Sequence, residues 1–141
     1  MQTSEREKIV AFQNAILNTA KGEAPEKSKT QIFVNILNEF TIWHLKILDL
    51  MKNPKEWFES QKLPIPKSIT YTISDVIYDA FPDLKDQTAL LNYVCNDLAR
   101  MGLLDAVSSS SLRTMMTVDG ALANRITPFG EEFMNFVTFK K

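Results

Sequence analysis

The sequence predicts a mainly α-helical protein carrying a small β element. Three observations predict it. Apolar residues recur at three- and four-residue spacing along most of the chain, the period of a helix face. Ser, Thr and Asp stand where several of those stretches open, twice with an acidic residue three positions on. Runs of strand type, bounded by Gly, Pro and Ser, occur only between residues 69 and 126.

Ser4-Glu5-Arg6-Glu7 reads as a capping box, so the first helix is expected at about 5–21. Ile9, Phe12, Ile16 and Ala20 recur along it, flanked by Val10 and Leu17, and Gly22 stops it. A polar linker with Pro25 leads to a second helix carrying Phe33, Leu37 and Phe40 on one face, with Ile32 and Ile36 alongside. Thr41 can cap a third helix, 42–52. Apolar residues reach almost all round it, so it should be central and buried. Asn53-Pro54 ends it and starts a short helical turn holding Trp57 and Phe58. Leu63-Pro64-Ile65-Pro66 is held extended by its prolines and marks the clearest internal boundary.

Ile69-Thr70-Tyr71 reads as a short strand. Thr72-Ile73-Ser74-Asp75 is a second capping box, opening a helix at 73–81 that turns Val76, Ile77 and Ala80 inward. Pro82-Asp83 breaks it. Asp86 can cap a longer helix, 87–101, with Leu91, Val94, Leu98 and Met101 on its inner face and Gly102 as the terminating glycine. Residues 103–107, 115–118 and 122–126 are strand candidates. Ser108 to Ser111 and Asp119-Gly120 supply the turns between them. Thr127-Pro128 caps a last helix lined by Phe129, Phe133, Phe136 and Val137.

Bulk composition excludes several classes. The chain has 141 residues, 16 basic against 17 acidic, with 45% apolar and 23% charged residues. These are globular proportions, not those of collagen or a disordered tail. The length suits one domain, or one domain with an extension, and lets roughly 68% of the unfolded surface be buried. Cys95 is the single cysteine, so no internal disulfide is possible, in keeping with a reducing, cytoplasmic setting. No apolar run reaches the ~18 residues of a membrane span, and the polar N-terminus does not resemble a signal peptide.

Two segments carry a family resemblance. One is Asp97-Leu98-Ala99-Arg100-Met101-Gly102-Leu103-Leu104, a helix end running through glycine into a strand. The other is Arg125-Ile126-Thr127-Pro128-Phe129-Gly130-Glu131-Glu132-Phe133, a return strand running into a capped helix. Together with the element order over 42–139, they resemble the winged helix-turn-helix superfamily of bacterial- or phage-type proteins. The resemblance implies a mainly α fold with a small β wing. It divides the chain into a helical extension, 1–41, and a winged-helix-like domain, 42–141. In such regulators extra helices often form a dimer interface. The resemblance also implies that the helix at 87–101 enters a DNA major groove. Lys85, just before it, Thr88, Asn92 and Asn96 would then lie on its outer side, with Arg100 and Tyr93 on its flanks and Arg113 on the wing.

Charge argues against that use. Affinity for DNA comes mostly from Lys and Arg on phosphates. Residues 68–141 hold six basic and nine acidic residues, a net −3, whereas residues 1–67 carry +2. Asp75, Asp79, Asp83 and Asp86 fall where a backbone-crossing helix and its turn would meet phosphate. Their spacing lacks the glycine and terminal Glu of a calcium loop, so they read as a solvated acidic face. The wing offers chiefly Arg113 and Arg125.

No catalytic constellation stands out. His44 is the single histidine, so any Ser-His-Asp or Cys-His set must use it. Beside Trp43 on an apolar helix it reads as a hydrogen-bonded structural residue. One Cys and one His are too few for a zinc site. Cys95 reads as a packing residue, and Met101, Met115, Met116 and Met134 as core or hairpin residues, or as an adaptable contact surface. No cofactor is expected. The expected function is a non-enzymatic interaction or regulatory module that binds protein, or itself through the N-terminal helices. The rival is a DNA-binding transcriptional regulator.

Overall fold

The computed structural model describes residues 2–66, 70–105 and 112–138, and the side chains from residue 6 onward. Its helices are α1 (Gln2–Ala20), α2 (Lys27–Glu39), α3 (Ile42–Lys52), α4 (Pro54–Ser60), α5 (Ile73–Ala80), α6 (Thr88–Arg100), α7 (Val118–Ala121) and α8 (Pro128–Val137). A 3-10 turn, Pro82–Leu84, joins α5 to α6. The protein is mainly helical, as the periodicity predicts.

Local capping sets many of these boundaries. Thr72 and Asp75 close a reciprocal box on α5, at 3.0 and 3.1 Å. Asn53 accepts from the Glu56 backbone N–H at the start of α4, with Pro54 in the first helical position. Thr127 accepts from the Gly130 N–H at 2.9 Å, again ahead of a proline. Thr41 opens α3, but its box partner three residues on is His44 rather than an acid. Two caps differ from expectation. α1 begins at Gln2, so Ser4 lies inside the helix, and α6 begins after Gln87 without a side-chain cap from Asp86.

α3 is the central element, with Ile47, Leu48, Leu50 and Met51 wholly buried. α2 packs on α8 through Phe33, whose ring lies 5.0 Å from Phe129, 5.4 Å from Phe133 and 5.8 Å from Phe136. α1 lies against α8 and α3. The buried side of α1 is Ala11, Ala15 and Asn18, not the Ile9–Phe12–Ile16–Ala20 stripe. The cause lies at the end of α8, whose last carbonyls have no helical partners. Asn14 donates to the Val137 carbonyl at 3.0 Å, and Asn18 to those of Phe136, Thr138 and Asn135 at 2.8, 3.1 and 3.2 Å. Small alanines at 11 and 15 let the two backbones come close enough for these amides to reach.

Among the described residues the β expectation is met only as two antiparallel bridges, Tyr71 with Met116 and Leu104 with Ile126. The strand expected at 115–118 stops short, and its last residue, Val118, opens helix α7 through the expected turn at Asp119-Gly120, because Thr117 accepts from the Gly120 N–H at 3.1 Å and turns the chain. Residues 122–125 do not join a ladder. The Arg125 guanidinium takes up neighbouring carbonyls instead, those of Gly120 at 2.9 Å and Ala123 at 3.1 Å. Ile69, residues 106–107 and the serine run 108–111 lie outside the described residues.

The two sequence segments quoted above meet in space. The Thr127 hydroxyl donates to the Gly102 and Leu103 carbonyls at 2.6 and 3.1 Å, and the Thr127 N–H donates to the Leu103 carbonyl at 3.0 Å. Asp105 N–H reaches the Arg125 carbonyl at 2.9 Å. Gly130 makes this clasp possible: a Cβ there would overlap the Leu103 carbonyl oxygen and stand 2.8 Å from Ile126 Cγ1.

Candidate interaction surfaces

The outer side of α6 is the first candidate. Its inner residues Leu91, Val94, Cys95 and Leu98 are buried, which turns Thr88, Tyr93, Asn96 and Arg100 to solvent and leaves Asn92 half-buried. Lys85 is exposed just before the helix. The fold brings Arg113 across to this face, its guanidinium 3.4 Å from the Asn92 amide oxygen. The residues expected to read DNA are therefore neighbours. Their cations stand close to acids, however. Arg100 donates to Asp97 at 3.2 Å, and Lys85 lies near enough to Asp79 to oppose the upward push that burial gives that carboxyl. Arg125, expected to serve the wing, turns inward onto backbone carbonyls, where burial lowers its pKa.

The second candidate is the outer side of α1. Ile9 is 54% exposed, Val10 42%, Ile16 68% and Leu17 45%. At 100° per residue these positions, with Gln13 and Ala20, fill an arc of roughly 120° opposite Ala11 and Ala15. Most of the stripe read from the sequence, Ile9, Ile16 and Ala20 with Val10 and Leu17, is thus left outside, while Phe12 packs half-buried against the core. The period identifies the stripe but not which side of it meets the protein. The pair of asparagines at 14 and 18, beside alanines at 11 and 15, was the available signal for the inner face.

His44 has no free ring nitrogen. Its Nδ1 accepts from the Thr41 backbone N–H at 3.0 Å and stands 2.8 Å from the Thr41 hydroxyl. An acceptor at Nδ1 places the ring proton on Nε2, which donates to Asp97 Oδ2 at 3.0 Å. The ring stacks on Phe40 at 5.0 Å and is 2% exposed. His44 thereby ties the start of α3 to α6, a structural role. Cys95 is fully buried and its thiol is pushed up to about 12 by that burial, so it has little thiolate at neutral pH. Among the described residues no group of three or more His, Cys, Asp or Glu side chains is placed to hold a metal ion. No helix among them is long and apolar enough to cross a membrane.

Compared with protein-family models, curated proteins and solved structures, the chain matches none. The functional reading therefore rests on the two surfaces themselves.

Proposed function

We propose that the chain is a non-enzymatic interaction or regulatory module of winged-helix type that binds protein through its N-terminal helices. The observation that carries this reading is the uncovered apolar strip on α1. Four large aliphatic side chains, each at least 42% exposed, cost solvation free energy until another apolar surface removes them from water. The winged-helix part of the reading draws support from the clasp between Gly102-Leu103 and Thr127-Gly130. It also draws on the helix, 3-10 turn and helix succession of α5 and α6.

One observation favours the rival reading. Thr88, Asn92, Asn96 and Arg100 share one side of α6, and Asn and Arg are residues that pair with base edges. A DNA-bound state would use them together with Lys85 and Arg113. The local carboxylates Asp79 and Asp97 oppose it, because binding depends on cations released to phosphate.

Titration of a labelled duplex, at low and then moderate salt, separates the two. The protein-binding reading expects no submicromolar association at either salt. Submicromolar association that falls steeply with salt, and is lost in the Asn92→Ala, Asn96→Ala double variant, would establish the DNA reading instead.

A further inference from the structure

We propose that the outer face of α1 pairs antiparallel with the same face of a second copy of this chain, about a two-fold axis at Gln13. The inference rests on the protein-binding reading and deepens it by naming the partner. Its first ground is the symmetry of the strip. An isologous interface requires a surface complementary to itself. Residues 9 and 10 lie on one side of Gln13, and 16 and 17 on the other. Antiparallel pairing sets Ile9 against Leu17 of the second copy and Val10 against its Ile16. All four exposed aliphatics are then covered in each copy. The two Gln13 side chains meet at the axis, where each amide can both donate and accept.

The second ground is charge. Exposed Arg6 falls on the same arc. A parallel pair would set Arg6 on Arg6 and Lys21 on Lys21. The antiparallel pair sets Arg6 against Ala20 and keeps the two Lys21 side chains at opposite ends. It also opposes the two helix dipoles. The third ground is shape. Val10 borders a groove of about 380 Å³ whose other apolar lining is Ala11, Leu45, Met134 and Val137. The second copy's Ile16 arrives at its edge.

From Arg6 to Ala20 the strip measures about 21 Å by 10 Å, from the helix rise and diameter. That is well under the ~800 Å² per partner of a standard interface, so the dimer should be reversible in the micromolar range.

Sedimentation equilibrium from about 1 to 500 μM tests the pairing. The wild type is expected to pass from monomer to dimer. Ile16→Glu is expected to weaken association at least tenfold while keeping its thermal midpoint, since residue 16 is mostly outside. Orientation is read by single cysteines under oxidation, without background because Cys95 is buried. Gln13→Cys should cross-link to itself. Ala20→Cys should not, because two copies of residue 20 stand about 21 Å apart along the antiparallel axis. Self-linking at both positions would mean a parallel pair and overturn the proposal. A monomer throughout, with no link at residue 13, also overturns it, yet leaves the protein-binding reading standing if duplex DNA does not bind. Submicromolar duplex binding overturns that reading whatever the mass.

Discussion

Gly130→Ala is expected to destabilise the protein by about 3 kcal/mol, near the upper end of what overpacking costs. For a chain of this size that corresponds to a fall of roughly 10 °C in thermal midpoint. The mechanism is steric. The first turn of α8 lies against the Leu103 backbone, and an added Cβ meets a carbonyl oxygen and the Ile126 side chain. Neither α8 nor the segment at 103 can retreat cheaply, because Thr127 holds both Gly102 and Leu103 by hydrogen bonds. Gly22→Ala is the control. Its φ of +76° is strained for alanine, but nothing lies within 4 Å. Its cost should therefore be only ~1 kcal/mol. Denaturant melts of the two variants check the ranking, and equal losses would show that the clasp at Gly130 is looser than described.

His44→Ala should cost a similar amount, about 3 kcal/mol, from the sum of a lost cap, a carboxylate oxygen left without its donor and a lost stacked ring. All three meet in one buried side chain. His44→Gln should recover part of the loss, because Gln at the third position of a helix can reach back to the cap backbone. A double-mutant cycle of His44→Ala with Asp97→Ala isolates the α3–α6 link. A coupling of ~1–2 kcal/mol is expected, and strict additivity would mean the Nε2–Asp97 bond contributes nothing net.

The legible parts of this fold are those whose cause is local. The boxes at Thr72 and the Thr-Pro start at 127 are written within four residues, and they form as read. The role of His44 was legible as structural, but not its partner. Asp97 is 53 residues away, and no spacing rule connects them. Which face of α1 turns inward is not legible in the spacing, for a physical reason. Two stripes of helical period run along that segment, and the aliphatic one looks like the core stripe. The unpaired carbonyls at the end of α8 instead select the side with Asn14 and Asn18, a constraint set more than a hundred residues downstream. The strands expected at 115–118 and 122–126 shrink to single bridge positions, Met116 and Ile126, because side chains compete for the backbone beside them. Thr117 turns the chain and Arg125 takes the carbonyls. The polar side of α6, by contrast, follows directly from its spacing of inner residues, and its surroundings changed its meaning. Asp97 engages Arg100, and Asp79 stands near Lys85.

On the proposed reading the protein makes its contacts through the apolar side of α1 rather than the polar side of α6. Amide chemical-shift mapping on isotope-labelled protein addresses both faces in one sample. As concentration rises, shifts are expected at residues 9, 10, 13, 16 and 17, with α6 unmoved on subsequent addition of duplex DNA. Shifts at Thr88, Asn92, Asn96, Arg100 and Arg113 on adding DNA, with α1 unchanged at every concentration, would contradict it.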